Sequence, residues 1–221
     1  MTFDWHYAWL TLPELLHGLR LTALATLAGM SLALSLGLVL CVLRRGRSRT
    51  MALGAAGIVE FLRSTPLLIQ MYFLFYVLPG LGISLRPFAA GALALGLHYA
   101  AYCSEVYRAG IESVPAGQWE AAQALNLSRR QIWRRVILPQ ALPPILPALG
   151  NYFVAMFKDT PMLSAITVLE VLQRAKLLGA EHFRYLEPLT LAGLLFLLLS
   201  LAAATFIRLG ERRLARRGLS R

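Results

Sequence analysis

Two carboxylates, an amide and a few aromatic side chains stand inside or at the ends of runs that are otherwise uncharged. They are Glu105, Asp159, Gln70, Tyr99 and Tyr102. Ionisable groups at membrane depth are costly unless they are paired or wetted, so they mark pathways and gates by default. Amide donors, carboxylates and ring faces together suit a small zwitterionic solute, because ring faces attract cationic groups. A plainer role competes at every position. Glu105 has Arg108 three residues on, Asp159 adjoins Lys158, and Gln70, Tyr72, Tyr99, Tyr102 and Asn151 could serve as interhelical hydrogen-bonding groups.

Catalysis finds no footing in these residues. No nucleophile–base arrangement stands out, and no G-x-x-x-x-G-K-[ST] phosphate loop is present, so ATP is not expected to bind this chain. His98 forms an i, i+4 pair with Tyr102, but no second ligand stands at metal spacing. Cys41 and Cys103 fall in apolar runs, as buried small hydrophobes do. No metal site, cofactor or catalytic residue is expected.

The elements that must hold these groups follow from composition. The chain is 57% hydrophobic and 15% charged, with a mean hydropathy of +0.60. Soluble domains carry about 25% charged residues. The apolar material suffices for about five spans of roughly 20 residues each. The spacing predicts spans at 21–43, 65–85, 87–104, 140–157 and 189–207. Pro143, Pro144 and Pro147 predict irregular first turns for the fourth span. Glu60 and Arg63, at i, i+3, are placed to pair before the second. Residues 160–169 are uncharged but too short to cross. Residues 1–18 lack a basic leader, so the first apolar run is read as a span that stays. The aromatic stretch Phe3, Trp5, Tyr7 and Trp9 reads as an outer interfacial segment over 1–20.

The net charge of +11 has a positional cause. Arginines cluster at the ends of apolar runs, at 44–49, 129–135 and 212–217, which excludes a nucleic-acid patch in favour of topology. With the N-terminus outside, sixteen of the 22 basic residues fall on the inner side. The expected topology is therefore N-out and C-in, with the loop 108–138 and the tail 209–221 in the cytoplasm.

That loop contains EAAQALNLSRRQIWRRVILP (120–139), a polar, basic stretch between two apolar runs. It reads as two short helices. Pro115 suits a first helical position, and Asn126 suits the left-handed residue that closes the first helix. Ser128 and Gln131 have capping-box spacing, Leu127 and Ile132 staple spacing, and Pro139 is expected to end the second helix. Small Ala121 and Ala122 let a helix sit deep in a groove, Trp119 offers an aromatic anchor, and Glu120 adds a charge. The loop is thus a docking element for a partner.

These residues also resemble a known pattern. Glu120-Ala121-Ala122, then Asn126 where a glycine is usual, then Val136-Ile137-Leu138-Pro139 is similar to the EAA loop of permease subunits of ATP-binding-cassette (ABC) importers. EFLRSTPLLIQ (60–70), AAYCSEVYRAGIESVPAGQWEAA (100–122) and ILPQALPPILPALGNYFVAMFKDT (137–160) extend the resemblance to polar amino-acid permeases. KDTPMLSAITVLEVLQRAK (158–176) most resembles permeases for ectoine and hydroxyectoine. The resemblance implies an all-α, type I importer permease, a single transmembrane domain over 1–221 in a bacterial inner membrane. It implies partners: a second permease, homo- or heteromeric, two separate ATPase subunits, an extracytoplasmic solute-binding protein and membrane lipid. The remaining alternative is a stand-alone secondary transporter or channel for a small zwitterion, against which the odd span count and the lack of an inverted repeat speak.

Overall fold

The computed structural model describes the backbone of residues 2–218 and the side chains of residues 2–210. Most of the basic tail, with Arg212, Arg213, Arg216, Arg217 and Arg221, lies outside the described side chains. Among the described residues every regular element is helical. The order is α1 (Trp5–Arg44), α2 (Arg49–Ser64), α3 (Leu67–Tyr72), α4 (Pro87–Glu112), α5 (Ala116–Ala124), α6 (Arg129–Gln131), α7 (Leu138–Asp159), α8 (Val171–His182) and α9 (Leu186–Gly218). A π-helical stretch Phe73–Val77 and a 3-10 turn Leu78–Leu81 extend α3, and a second π stretch, Ile132–Ile137, joins α6 to α7.

Of the first aromatic residues, Trp5, Tyr7 and Trp9 belong to α1. Asp4 caps α1 by accepting from the His6 and Tyr7 amides, and the helix then runs unbroken for 40 residues. At 1.5 Å per residue that is about 60 Å, twice a bilayer's hydrocarbon core. By length and hydropathy α1 and α9 qualify as spans, and α2 with the α3 segment qualifies as a pair bent by 104°. α4 and α7 run for 26 and 22 residues within the same bundle.

The central packing is α1 on α4. Glycine makes it close: a Cβ on Gly37 would lie 2.8 Å from the Ala100 carbonyl oxygen and 2.7 Å from the Cys103 Cβ. Ala25, Ala33, Ala90, Ala94 and Leu95 fill the rest of that seam with Met71, Met156, Leu163 and Ile166. Backbone approach through small residues is the usual packing solution in lipid, where no hydrophobic force distinguishes protein from solvent. At the far end Glu170 caps α8 through the Leu172 and Gln173 amides, fully buried where Gly18 of α1 passes it. An Asp4–Arg184–Glu187 triad and an Arg174–Glu14 pair tie the same end together.

Prolines in the fourth expected span act differently from expectation. Pro143, Pro144 and Pro147 lie inside an α-helix, and the irregularity sits one turn earlier. There the Leu138 amide reaches back to the Trp133 carbonyl, an i to i−5 bond. Pro139 has no N–H for Arg135, and the widened turn absorbs that loss. Pro139 therefore does not end the second loop helix; the chain stays helical from Arg129 into α7.

Candidate functional site

The loop after α4 folds as a hairpin fastened to its own chain. α5 starts one residue after Pro115, which is its N-cap and not its first helical residue. It ends at Asn126, whose φ of +52° is the left-handed conformation asparagine tolerates. The Ser128 hydroxyl accepts from the Gln131 amide while the Gln131 side chain accepts from the Ser128 amide at 2.9 Å, so the capping box is complete. Ala122 and Ile132 are buried with Val114, Ile137 and Ala141, and Leu127 packs on them. Trp119 is half-buried and meets Trp133 edge-to-face, ring centres 5.4 Å apart. Gln140 of α7 donates to Gln118 of α5 at 3.2 Å.

Of the five residues expected to couple, Trp119 and Ala122 thus face their own chain, while Glu120, Ala121 and Asn126 are exposed. The large apolar group that the outer face does offer is Leu125, 74% exposed. Sequence reading passed over it because Trp119 looked like the better anchor. The signal was local: Leu125 follows Ala121 by four residues, so the two share the exposed face of α5.

Glu105 is the hub of a cationic cluster. Arg44 of α1 meets it at 2.5 Å, Arg108 at 2.7 Å and Arg63 of α2 at 3.7 Å. Arg108 also reaches Glu112 at 2.6 Å, which Arg45 approaches at 3.5 Å. The neighbour on the same helix is therefore one of three, and two come from other helices. Arg63 does not pair with Glu60, which instead accepts from Ser64 at 3.2 Å. Arg63 is turned away from Glu60 towards α4, where it also stacks on Tyr102.

Gln70 braces the bend between α2 and α3. Pro66 has no N–H, so the Leu62 carbonyl loses its i+4 donor. The Gln70 amide nitrogen supplies it at 2.8 Å and also contacts the Thr65 hydroxyl at 2.7 Å. Its own amide oxygen is buried without a partner among the described residues.

Asp159, at the end of α7, accepts from the buried Tyr99 hydroxyl of α4 at 2.7 Å. No ion pair joins it to Lys158 among the described residues, against the plainer expectation. Tyr99 lies 6.2 Å from Tyr102, and Tyr152 of α7 packs against both, at 6.0 and 5.5 Å. Arg63 stacks on Tyr102 at 5.6 Å, within cation–π range. Four of the five predicted path residues therefore fall on one run of contacts, Asp159–Tyr99–Tyr102–Arg63–Glu105, and Gln70 props the bend that carries Arg63. Tyr152 and Arg63 were not singled out as path residues, because only tertiary contact joins them to α4. Asn151 and Tyr72 are exposed, and His98 packs on Tyr102. Hydroxyls, ring faces and one carboxylate can bind a polar solute; nothing here places a nucleophile beside a base. Among the described residues no three His, Cys, Asp or Glu side chains gather as metal ligands.

Comparison with known proteins addresses the family and the fold. A family described as "Binding-protein-dependent transport system inner membrane component" matches residues 25–216. The chain is 48% identical over 208 residues to a probable amino-acid ABC transporter permease protein, y4tG, of Sinorhizobium fredii, covering 94% of this chain and 90% of that one. It is 34% identical to the L-cystine transport system permease protein TcyB of Bacillus subtilis, over 92% and 88% of the two chains. Among solved structures, a chain from a crystal structure of an amino acid ABC transporter with histidines superposes with a TM-score of 0.92. That chain is 32% identical, over 96% of this chain and all of the other. A chain of the MetNI methionine ABC transporter, 22% identical with a TM-score of 0.66, shares the fold.

Proposed function

This chain belongs to the family of binding-protein-dependent transport system inner membrane components, and from that premise we propose that it forms half of the solute path of an ATP-driven importer of a polar amino acid or an amino-acid derivative. The chain has the type I importer permease fold. It works with a second permease, two ATPase subunits and an extracytoplasmic solute-binding protein. The spans are α1, the α3 segment, α4, α7 and α9, with the N-terminus outside and α5 in the cytoplasm, as the distribution of basic residues favours. Relatives named for amino acids support the solute class. The 158–176 stretch, which resembles ectoine and hydroxyectoine permeases, puts cyclic amino-acid derivatives first among candidates.

One observation carries the coupling reading: the exposed Glu120–Ala121 face belongs to a helix locked to the chain that becomes α7. α5 is held by the Trp119–Trp133 contact and the Gln118–Gln140 bond, and helix continues from Arg129 to Asp159. A push on α5 reaches Asp159 about 33 Å along α7 as a rigid-body displacement. ATPase closure then rocks the two permeases between inward- and outward-open states. The solute binds along the Asp159–Tyr99–Tyr102 stretch. Replacement of Glu120 by lysine tests this in reconstituted vesicles. The expected result is loss of ATP-driven uptake with normal insertion; normal uptake would remove α5 from the drive train. Uptake by the chain alone on an ion gradient would favour a stand-alone transporter.

A further inference from the structure

α1, α4, the α5 hairpin and the start of α7 leave a cavity between them of about 770 Å³. That is the size of a small-ligand pocket, commonly about 300–1,000 Å³. It shares only Arg45 with the Glu105 cluster and no residue with the Asp159 stretch. One wall is apolar, with Leu38, Val42, Ile111 and Leu138. The charged part of the lining is cationic, with Arg45, Arg47 and Arg129. Along α1 the apolar and cationic residues succeed one another along the expected membrane normal. Leu38 and Val42 belong to the last turns of the apolar run of α1, and Arg45 and Arg47 follow directly at the level where basic residues meet lipid headgroups.

The charge of the rim is unbalanced. Arg45 has Glu112 at 3.5 Å, but Glu112 already binds Arg108 at 2.6 Å. Arg47 and Arg129 have no acidic partner among the described residues and are exposed. Guanidiniums bind phosphate oxygens through paired N–H donors. Val42 is 61% exposed and Leu38 is 50% exposed, so the apolar wall also lacks a cover in this chain. A free phosphate would satisfy the rim and leave that wall bare. An ATPase surface would meet the rim but would have to reach into the bilayer to cover Leu38.

The geometry points to an anionic phospholipid of the inner leaflet as the occupant, its phosphate on Arg45, Arg47 and Arg129 and one acyl chain along Leu38, Val42 and Leu138. Basic pockets beside transmembrane helices on the cytoplasmic side bind such headgroups. Here the lipid has a mechanical consequence. Trp119 and Gln123 of α5 line the same cavity. The bound lipid braces α5 against α1.

The test is native mass spectrometry of the purified complex and of the chain alone, from nanodiscs of phosphatidylcholine with or without phosphatidylglycerol. The wild type is expected to retain phosphatidylglycerol in both preparations and to release none of it to inorganic phosphate. Arg47→Gln with Arg129→Gln removes two cationic contacts and is expected to weaken retention by about 30-fold. Val42→Trp, at an exposed position, fills the acyl wall without touching the rim and is expected to lower retention of both lipids. Equal retention by all variants overturns the proposal, as does displacement by inorganic phosphate. A photo-cross-linker at Val42 that captures the ATPase subunit in place of lipid also overturns it.

Discussion

Replacing Glu105 with glutamine removes the charge on which three arginines from three helices converge. The carboxylate is 22% exposed, with Arg44 at 18% and Arg108 at 36%. A fully exposed pair is worth about 0.2–1 kcal/mol. Stranding one member of a fully buried pair costs about 3–5 kcal/mol. The half-buried hub falls between, and the loss is expected at about 2 kcal/mol, chiefly from guanidiniums left facing one another. For a chain of this length, about 2–4 °C of melting temperature accompanies each kcal/mol, so the midpoint in detergent should fall by about 4–8 °C. Arg108→Gln removes one of three partners and should cost about half as much. The double variant should cost less than the sum, because Arg108 is then no longer left facing Arg44 and Arg63 without the carboxylate. Glu105→Gln should slow uptake more than it changes solute preference. An unchanged midpoint, or strictly additive losses, would show that Glu105 does not organise the arginines. A switch in solute preference with unchanged stability would make it a solute ligand instead.

Other consequences are open to measurement. Gln70→Ala strands the Leu62 carbonyl and should cost about 1–3 kcal/mol; spin labels placed across the bend should report a broader distance distribution, and an unchanged one would contradict the bracing role. Gly37→Leu forces side-chain atoms into the Ala100 backbone and should cost more than the about 1–3 kcal/mol typical of overpacking; a stable, fully assembled variant would contradict the α1–α4 seam. Burial pushes the Glu170 carboxyl up to about 7 from an ordinary 4.5, outweighing the two amides that hold it down. The native state then binds the proton more tightly than the unfolded one, so this group's stabilisation is full below pH 4.5 and is lost as pH rises towards 7. Melting midpoints of Glu170→Gln should lack that slope relative to the wild type. Asp4 should contribute the opposite slope at lower pH, because the Tyr7 amide foremost, with Arg184, holds its carboxyl below the usual range.

What could be read in the sequence was mostly local. Ser128 with Gln131, and Asn126 at the turn, depend on backbone geometry within a few residues, and the structure has them as the spacing dictates. The all-helical class followed from charge-free runs too long for anything else. Where partners lie far apart in sequence, local reasoning chose the wrong one. Arg63 had Glu60 at helical spacing, yet Glu105, 42 positions on, gathers it. Asp159 had Lys158 beside it, yet Tyr99 is its donor. Trp119 read as an outward anchor because nothing in one helix shows that Trp133 will fold back on it. Pro139 read as a stop, since the π turn that accommodates it depends on the packing of Ile132 and Ile137 beneath. The run from Asp159 to Glu105 needed α2, α4 and α7 side by side, which no pattern in one segment encodes.

The central claim is that the α5 face is gripped by a separate nucleotide-hydrolysing subunit. Both native cysteines are buried, so a single cysteine introduced as Ala121→Cys can be addressed selectively. In native membranes holding the transport-competent complex, a short bifunctional reagent should join position 121 to the ATPase subunit, at a yield that changes with trapped nucleotide. Free labelling of position 121 by a soluble maleimide, with no cross-link in any nucleotide state, would contradict the account.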